Sequence, residues 1–118
     1  MPSKSQSTRA SGTEAERRVR RFYLLRGYRL VAANATAGGN ELDLVVRRGR
    51  RLLFVEVKAR AGTGFGDPSE AVGPEKTRRV RRAAEGFLAR NPQLLELDVA
   101  FEVAAVRNGK VERTPLTL

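Results

Sequence analysis

The sequence contains no cysteine, no histidine and no tryptophan. The absence of cysteine excludes disulfides, thiol nucleophiles and thiolate zinc sites. The absence of histidine excludes an imidazole base, and with it the Ser-His-Asp and Cys-His arrangements. Acid–base chemistry is left to carboxylates, lysines, two tyrosines or a metal-bound water. A metal site would have to be rich in oxygen, which favours Mg²⁺, Mn²⁺ or Ca²⁺ over zinc or copper. Long apolar runs are missing too, and nothing approaches the ~18 residues of a membrane span. The polar, Ser-rich first eleven residues lack the apolar stretch of a signal peptide. These features predict a cytoplasmic protein with a disordered tail over residues 1–11. The remaining residues, 12–118, are enough for one domain with its own core.

Positive charge is abundant. Against 13 acidic residues stand 23 basic ones, a formal net charge of +10. Only four of the basic residues are lysine, which leaves 19 arginines, the better forks for phosphate. Such a chain is drawn to polyanions, and nucleic acid is the first candidate. An anionic membrane is the competitor, but no basic amphipathic face with exposed aromatics is evident.

Hydrophobic periodicity divides the chain into α-β-β-β-α-β-β. Thr13-Glu14-Ala15-Glu16 has the form of a capping box. Ala15, Val19, Phe22 and Tyr23 follow at helical spacing, with Gly27 placed as a terminating glycine. The predicted helix is 13–26. Strands are predicted over 28–33, 41–47 and 52–58, with a loop over 34–40. A long glycine-rich loop covers 60–73. A second helix follows over 75–90, with Pro74 at its first position and Pro92 ending it. Strands over 97–106 and 110–114 flank the turn signal Asn108-Gly109. The expected class is α/β in three layers, a small mixed sheet between helices.

The hairpin carries the chemistry. A two-residue turn at Gly49-Arg50 suits a type II′ geometry and makes paired residues sum to 99. Asp43 would then face Glu56, and Glu41 would face Lys58. An odd-numbered loop would lose this register. Leu42, Leu44, Val46, Leu53, Val55 and Val57 form the apolar face expected in the core. Two carboxylates about 5 Å apart repel by roughly 3 kcal/mol at an effective dielectric of ~20. A divalent cation would turn that repulsion into coordination; without one, a carboxyl could take up a proton. Lys58 falls on the same face, as a catalytic cation or as the salt-bridge partner of Glu41. Asp–x₁₂–Glu–x–Lys is a minimal phosphodiesterase set. Paired carboxylates also suit glycosidases, but the charge and the lack of tryptophan disfavour a sugar substrate.

This pattern resembles the PD-(D/E)xK nuclease superfamily, with Asp43 as its Asp and Glu56-Val57-Lys58 as its ExK. The segments Asn40-Glu41-Leu42-Asp43-Leu44 and Leu53-Phe54-Val55-Glu56-Val57-Lys58-Ala59-Arg60 resemble the signature of the YraN-like bacterial proteins. So do Gly27-Tyr28 with Asn34, Phe65-Gly66, and Glu70-Ala71-Val72 followed by Lys76. Asn40 stands where the family pattern has glycine, as does Ala15 before Glu16. The resemblance implies a restriction-endonuclease-like fold similar to Holliday-junction resolvases, and a DNA endonuclease using Mg²⁺ or Mn²⁺. Metal ligands would be Asp43, Glu56, the carbonyl of Val57 and, from the first helix, Glu16, whose rival role is at the third position of the capping box. Glu41 would sit behind the ligands. Lys76, Arg60, Arg78, Arg79, Arg82, Arg48 and Arg50 are the candidate phosphate contacts, with the loop over 60–73 lying above the substrate. Resolvase-like folds act as dimers on symmetric junctions, so a homodimer is open. The alternative function is a nuclease-like fold that holds nucleic acid without cutting it.

Overall fold

The computed structural model describes residues 4–60 and 73–116, with side chains over 14–59 and 73–116. The elements are α1 (Lys4–Leu24), β1 (Arg29–Ala37), β2 (Asn40–Arg48), β3 (Arg51–Arg60), α2 (Pro74–Arg90), a 3₁₀ turn (Pro92–Glu96), β4 (Asp98–Arg107) and β5 (Lys110–Leu116). The strands form one mixed sheet in the order β1-β2-β3-β4-β5. Pairing is antiparallel except at β3–β4, the parallel pair that brackets α2.

The α/β three-layer expectation holds, because both sheet faces are covered. Val19 and Tyr23 of α1 pack on Leu44, Val46, Leu53, Val55 and Ala104. Ala83, Ala84 and Phe87 of α2 pack on Ala37, Leu42, Val45, Leu52 and Phe54 across the sheet. Burying a side chain such as Phe54 stabilises by about 1.5–3 kcal/mol.

α1 begins at Lys4, not at residue 13. The tail expected over 1–11 is therefore helical from residue 4, and Met1–Ser3 lie outside the described residues. Ser, Thr and Gln are tolerated in a helix interior, so the stretch before Thr13 extends the helix rather than ending it. Thr13 is consequently mid-helix rather than at a helix start. The other end is as expected: Gly27 takes φ +89°, with Gly27 N–H donating to Leu24 O and Tyr28 N–H to Tyr23 O. That pair of bonds is the Schellman arrangement.

The loop expected over 34–40 is mostly strand. β1 runs to Ala37, and Gly38-Gly39, both at positive φ, make the two-residue turn into β2. Gly-Gly suits a type I′ turn. Ala, Asn and Thr are weak strand signals, and pairing with β2 overrides them. The glycine-rich segment over 61–72, with its Phe65-Gly66 and Glu70-Ala71-Val72 motifs, lies outside the described residues.

Candidate functional site

The hairpin turns at Gly49-Arg50, and its pairs sum to 99 as the sequence requires. The ladder runs from Arg48↔Arg51 to Leu44↔Val55 and stops there. Asp43 is therefore not paired with Glu56, and Glu41 faces Thr36 of β1 rather than Lys58. Asp43 Oδ2 instead accepts the Val57 N–H at 2.9 Å. Alternation also breaks here, since Leu42 packs on the α2 side with Val45 whereas Leu44 packs on the α1 side. Mutual repulsion of the two carboxylates disfavours a closed pair. Parting the strands lets one carboxylate satisfy a backbone donor that the ladder would otherwise use.

Both acids nevertheless converge. A cleft of about 210 Å³ is lined by Asn40, Glu41, Asp43, Glu56, Lys76, Arg79 and Val80. Glu56 is nearly buried and binds Lys76 Nζ at 2.8 Å, with Lys58 Nζ at 3.9 Å from the same oxygen. The Lys58–Glu41 bridge is thus replaced by Lys58–Glu56. Lys76 reaches the cleft because it lies on the inward stripe of α2, one turn before Val80.

Asp43 is different. Burial pushes its carboxyl up to about 7, Glu56 adds to this, the Val57 N–H opposes it, and Glu16 and Glu41 contribute further. Near neutrality the carboxyl is divided between its two forms. Glu16 is within electrostatic reach of Asp43 from α1. With its amide oriented to donate, Asn34 stands 3.2 Å from Glu16 Oε1 and 3.3 Å from Oε2. Asn34 adopts φ +52° within β1, a left-handed kink that asparagine tolerates.

Among the described residues no three acidic side chains form a ready ligand cluster. Asp43 and Glu56 supply two oxygen donors, which fits Mg²⁺, an ion that keeps several waters and takes one or two carboxylates. The raised Asp43 pKa supports the fit, since a cation would neutralise the charge that burial and Glu56 disfavour.

The arginines separate by position. Arg79 lines the cleft, whereas Arg78 and Arg82 are exposed on α2. Arg48 and Arg50 occupy the hairpin tip, roughly 17 Å of strand away from Asp43. Arg48 donates to Arg26 O at 2.9 Å and lies over the Tyr28 ring. Arg50 donates to Glu96 O and faces Asp98 at 3.9 Å. The side chain of Arg60 lies outside the described residues.

Sequence reasoning missed a second polar cluster. Glu102, 5% exposed, accepts Tyr23 Oη–H at 2.6 Å and a two-pronged pair from Arg113 at 2.8 and 2.7 Å. The available signal was a glutamate inside an apolar strand. Turning about Asn108-Gly109 places Arg113 opposite Ala104, two residues from Glu102 on the same face.

No helix among the described residues is long and apolar enough to cross a membrane. The profile of Uncharacterised protein family UPF0102 matches residues 15–106. A UPF0102 protein of Parvibaculum lavamentivorans is 45% identical over 96 residues, covering 80% of this chain and 70% of its own. One from Synechococcus sp. is 40% identical over 113 residues, covering 93% and 86%. One from Klebsiella pneumoniae is 33% identical over 108 residues, covering 91% and 84%. The profile spans α1 from Ala15, the whole hairpin, α2 and nearly all of β4, so every residue of the cleft falls inside it: the chain belongs to Uncharacterised protein family UPF0102.

Proposed function

We propose that this protein is a metal-dependent endonuclease of the PD-(D/E)xK type that hydrolyses DNA phosphodiester bonds within the cell. The observation that carries this reading is one small cleft that gathers Asp43 and Glu56 with Lys76 and Arg79, in a chain of net charge +10. Asp43 and Glu56 would hold Mg²⁺ or Mn²⁺, with the Val57 carbonyl as the third protein donor. A bound Mg²⁺ would supply Lewis-acid polarisation of a phosphoryl oxygen and a more acidic water. Lys76 and Arg79 would bind the non-bridging oxygens of the phosphodiester and orient it against the carboxylates. Lys58 would stabilise the negative charge that develops on the phosphoryl oxygens. Glu41 and Glu16 would hold the field at Asp43 rather than touch substrate.

The Lys76–Glu56 ion pair favours a second reading, a binding module, because it neutralises Glu56 without any metal. Cleavage separates the two. Wild type, Asp43→Asn and Glu56→Gln are each offered linear, single-stranded, flapped and four-way-junction DNA with Mg²⁺, Mn²⁺ or EDTA. The nuclease reading expects metal-dependent cutting by wild type only, with DNA binding kept in both variants. Salt-sensitive binding with no cutting of any substrate replaces it with the binding module.

A further inference from the structure

A second concavity, about 520 Å³, lies on the outer side of α1 against the β4–β5 turn. Arg17, Arg18, Arg20, Arg21 and Arg26 line it, and Glu14 is its one acidic residue. The cleft that holds Asp43 takes its cations from α2, whereas α1 packs on the opposite face of the sheet. The two surfaces are therefore distinct.

Arginine is common in this chain, so count alone decides little. Engagement separates the arginines of the hairpin and β5 from those of the helices. Arg47 is held by Gly49 O, Arg48 by Arg26 O, Arg50 by Glu96 O and Arg113 by Glu102. Among the described residues of α1 the ion pairs are Glu14 with Arg17 at 4.0 Å and with Arg18 at 3.8 Å, all three side chains well exposed. Exposed pairs of that length neutralise little. Arg21 has no acidic partner among the described residues. Arg17 and Arg21 are one helical turn apart, with Arg18 beside them. From Arg17 to Arg21 the helix rises about 6 Å, a length that covers roughly two phosphates of one strand of a duplex.

We propose that the outer face of α1 is a second nucleic-acid surface, on which Arg17, Arg18 and Arg21 hold the phosphate backbone of DNA. The identity of the partner rests on the reading given under Proposed function; the surface does not. Leu24 and Leu25 are exposed beside it, which would also suit an anionic lipid surface. Interfacial anchoring draws on exposed aromatics, however, and the Phe22 ring is capped by the Arg26 guanidinium at 3.5 Å. DNA is the occupant the charges favour.

The test titrates the full chain into labelled duplex DNA of about 30 base pairs, in EDTA, across roughly 50–300 mM NaCl. The double variant Arg17→Gln/Arg21→Gln is compared with Arg29→Gln/Arg90→Gln, which removes the same charge elsewhere. The first pair is expected to weaken binding roughly tenfold more than the second and to lower the salt slope by about 2. Equal behaviour of the two variants overturns the proposal and leaves the nuclease reading standing. A parallel arm uses phosphatidylglycerol vesicles; loss of vesicle binding with DNA binding intact also overturns it. If wild type binds no DNA in EDTA and cuts none with Mg²⁺ or Mn²⁺, both this and the parent reading fail, whereas cutting by wild type with α1 variants unaffected sinks this proposal alone.

Discussion

At Asp43, burial and the neighbouring carboxylates favour the protonated form, and the Val57 N–H opposes them. The carboxyl sits at about 7 in the fold and near 4 in the unfolded chain, so between those values the fold holds a proton that the unfolded chain does not. Stability is expected to fall by a few kcal/mol as pH rises through that window, and then to level. Urea unfolding at about pH 5 and pH 8 in EDTA checks this, and Asp43→Asn, whose amide oxygen still accepts from Val57, should flatten the slope. Metal affinity runs the other way, since protons compete for the same oxygens; below pH 7 it should drop about tenfold per unit. Glu102 has the opposite sign. Burial raises it, but the hydrogen bonds from Arg113 and Tyr23 outweigh burial and hold it below the ordinary carboxylate range. Its contribution is lost as pH falls through that lowered value. Glu102→Gln breaks one side of the buried pair, and unfolding measurements are expected to show a loss of about 3 kcal/mol with cleavage chemistry untouched. Spacing in the sequence singled out Asp43, Glu56 and Lys58 as candidates. It could not show that Asp43 would leave the ladder for a backbone donor, a choice made locally in the hairpin, or that Lys76 would take Glu56, which depends on how α2 docks.

α2 is seated by two glycines. A Cβ on Gly86 would stand 2.6 Å from Gly38 N and 3.0 Å from its Cα, which are backbone atoms that cannot swing aside. On an exposed helix, Gly→Ala stabilises by roughly 1 kcal/mol. Here Gly86→Ala is expected to destabilise by about 1–3 kcal/mol instead. The sign, read from denaturation midpoints, tests whether α2 rests on the β1–β2 turn. The same contact explains where element prediction succeeded and failed. α2, β3 and the β2–β3 hairpin have strong periodicity and clear turn residues, and they were legible. The Asn34–Ala37 stretch has neither; it is a strand because β2 and α2 cover it. The start of α1 was missed for the converse reason, since Thr13 and Glu16 mimic a cap inside a longer helix.

Across the whole molecule, the carboxylates are the part of a basic chain that a cation would relieve. Saturating Mg²⁺ is therefore expected to raise the thermal midpoint of wild type by about 5 °C, if it reaches some ten times its dissociation constant, and to leave Asp43→Asn unmoved. Thermal scans with and without EDTA measure this. The parallel seam between β3 and β4 has a further consequence for how the chain reaches its native state. α1 through β3 pair with sequence neighbours across tight turns, and β4–β5 is a local hairpin as well. The ten-residue register from Arg51↔Asp98 to Arg60↔Arg107 joins these two units and requires the connection through α2 to close first. Non-local parallel pairing across so long a connection is slow relative to forming the local hairpins. Truncating Val46 should then slow folding, whereas truncating Val103 in the seam should mainly hasten unfolding, a contrast that φ-values from stopped-flow kinetics would read directly. The ribosome releases the first unit well before β4, so the β3 edge waits unpaired until the second unit arrives.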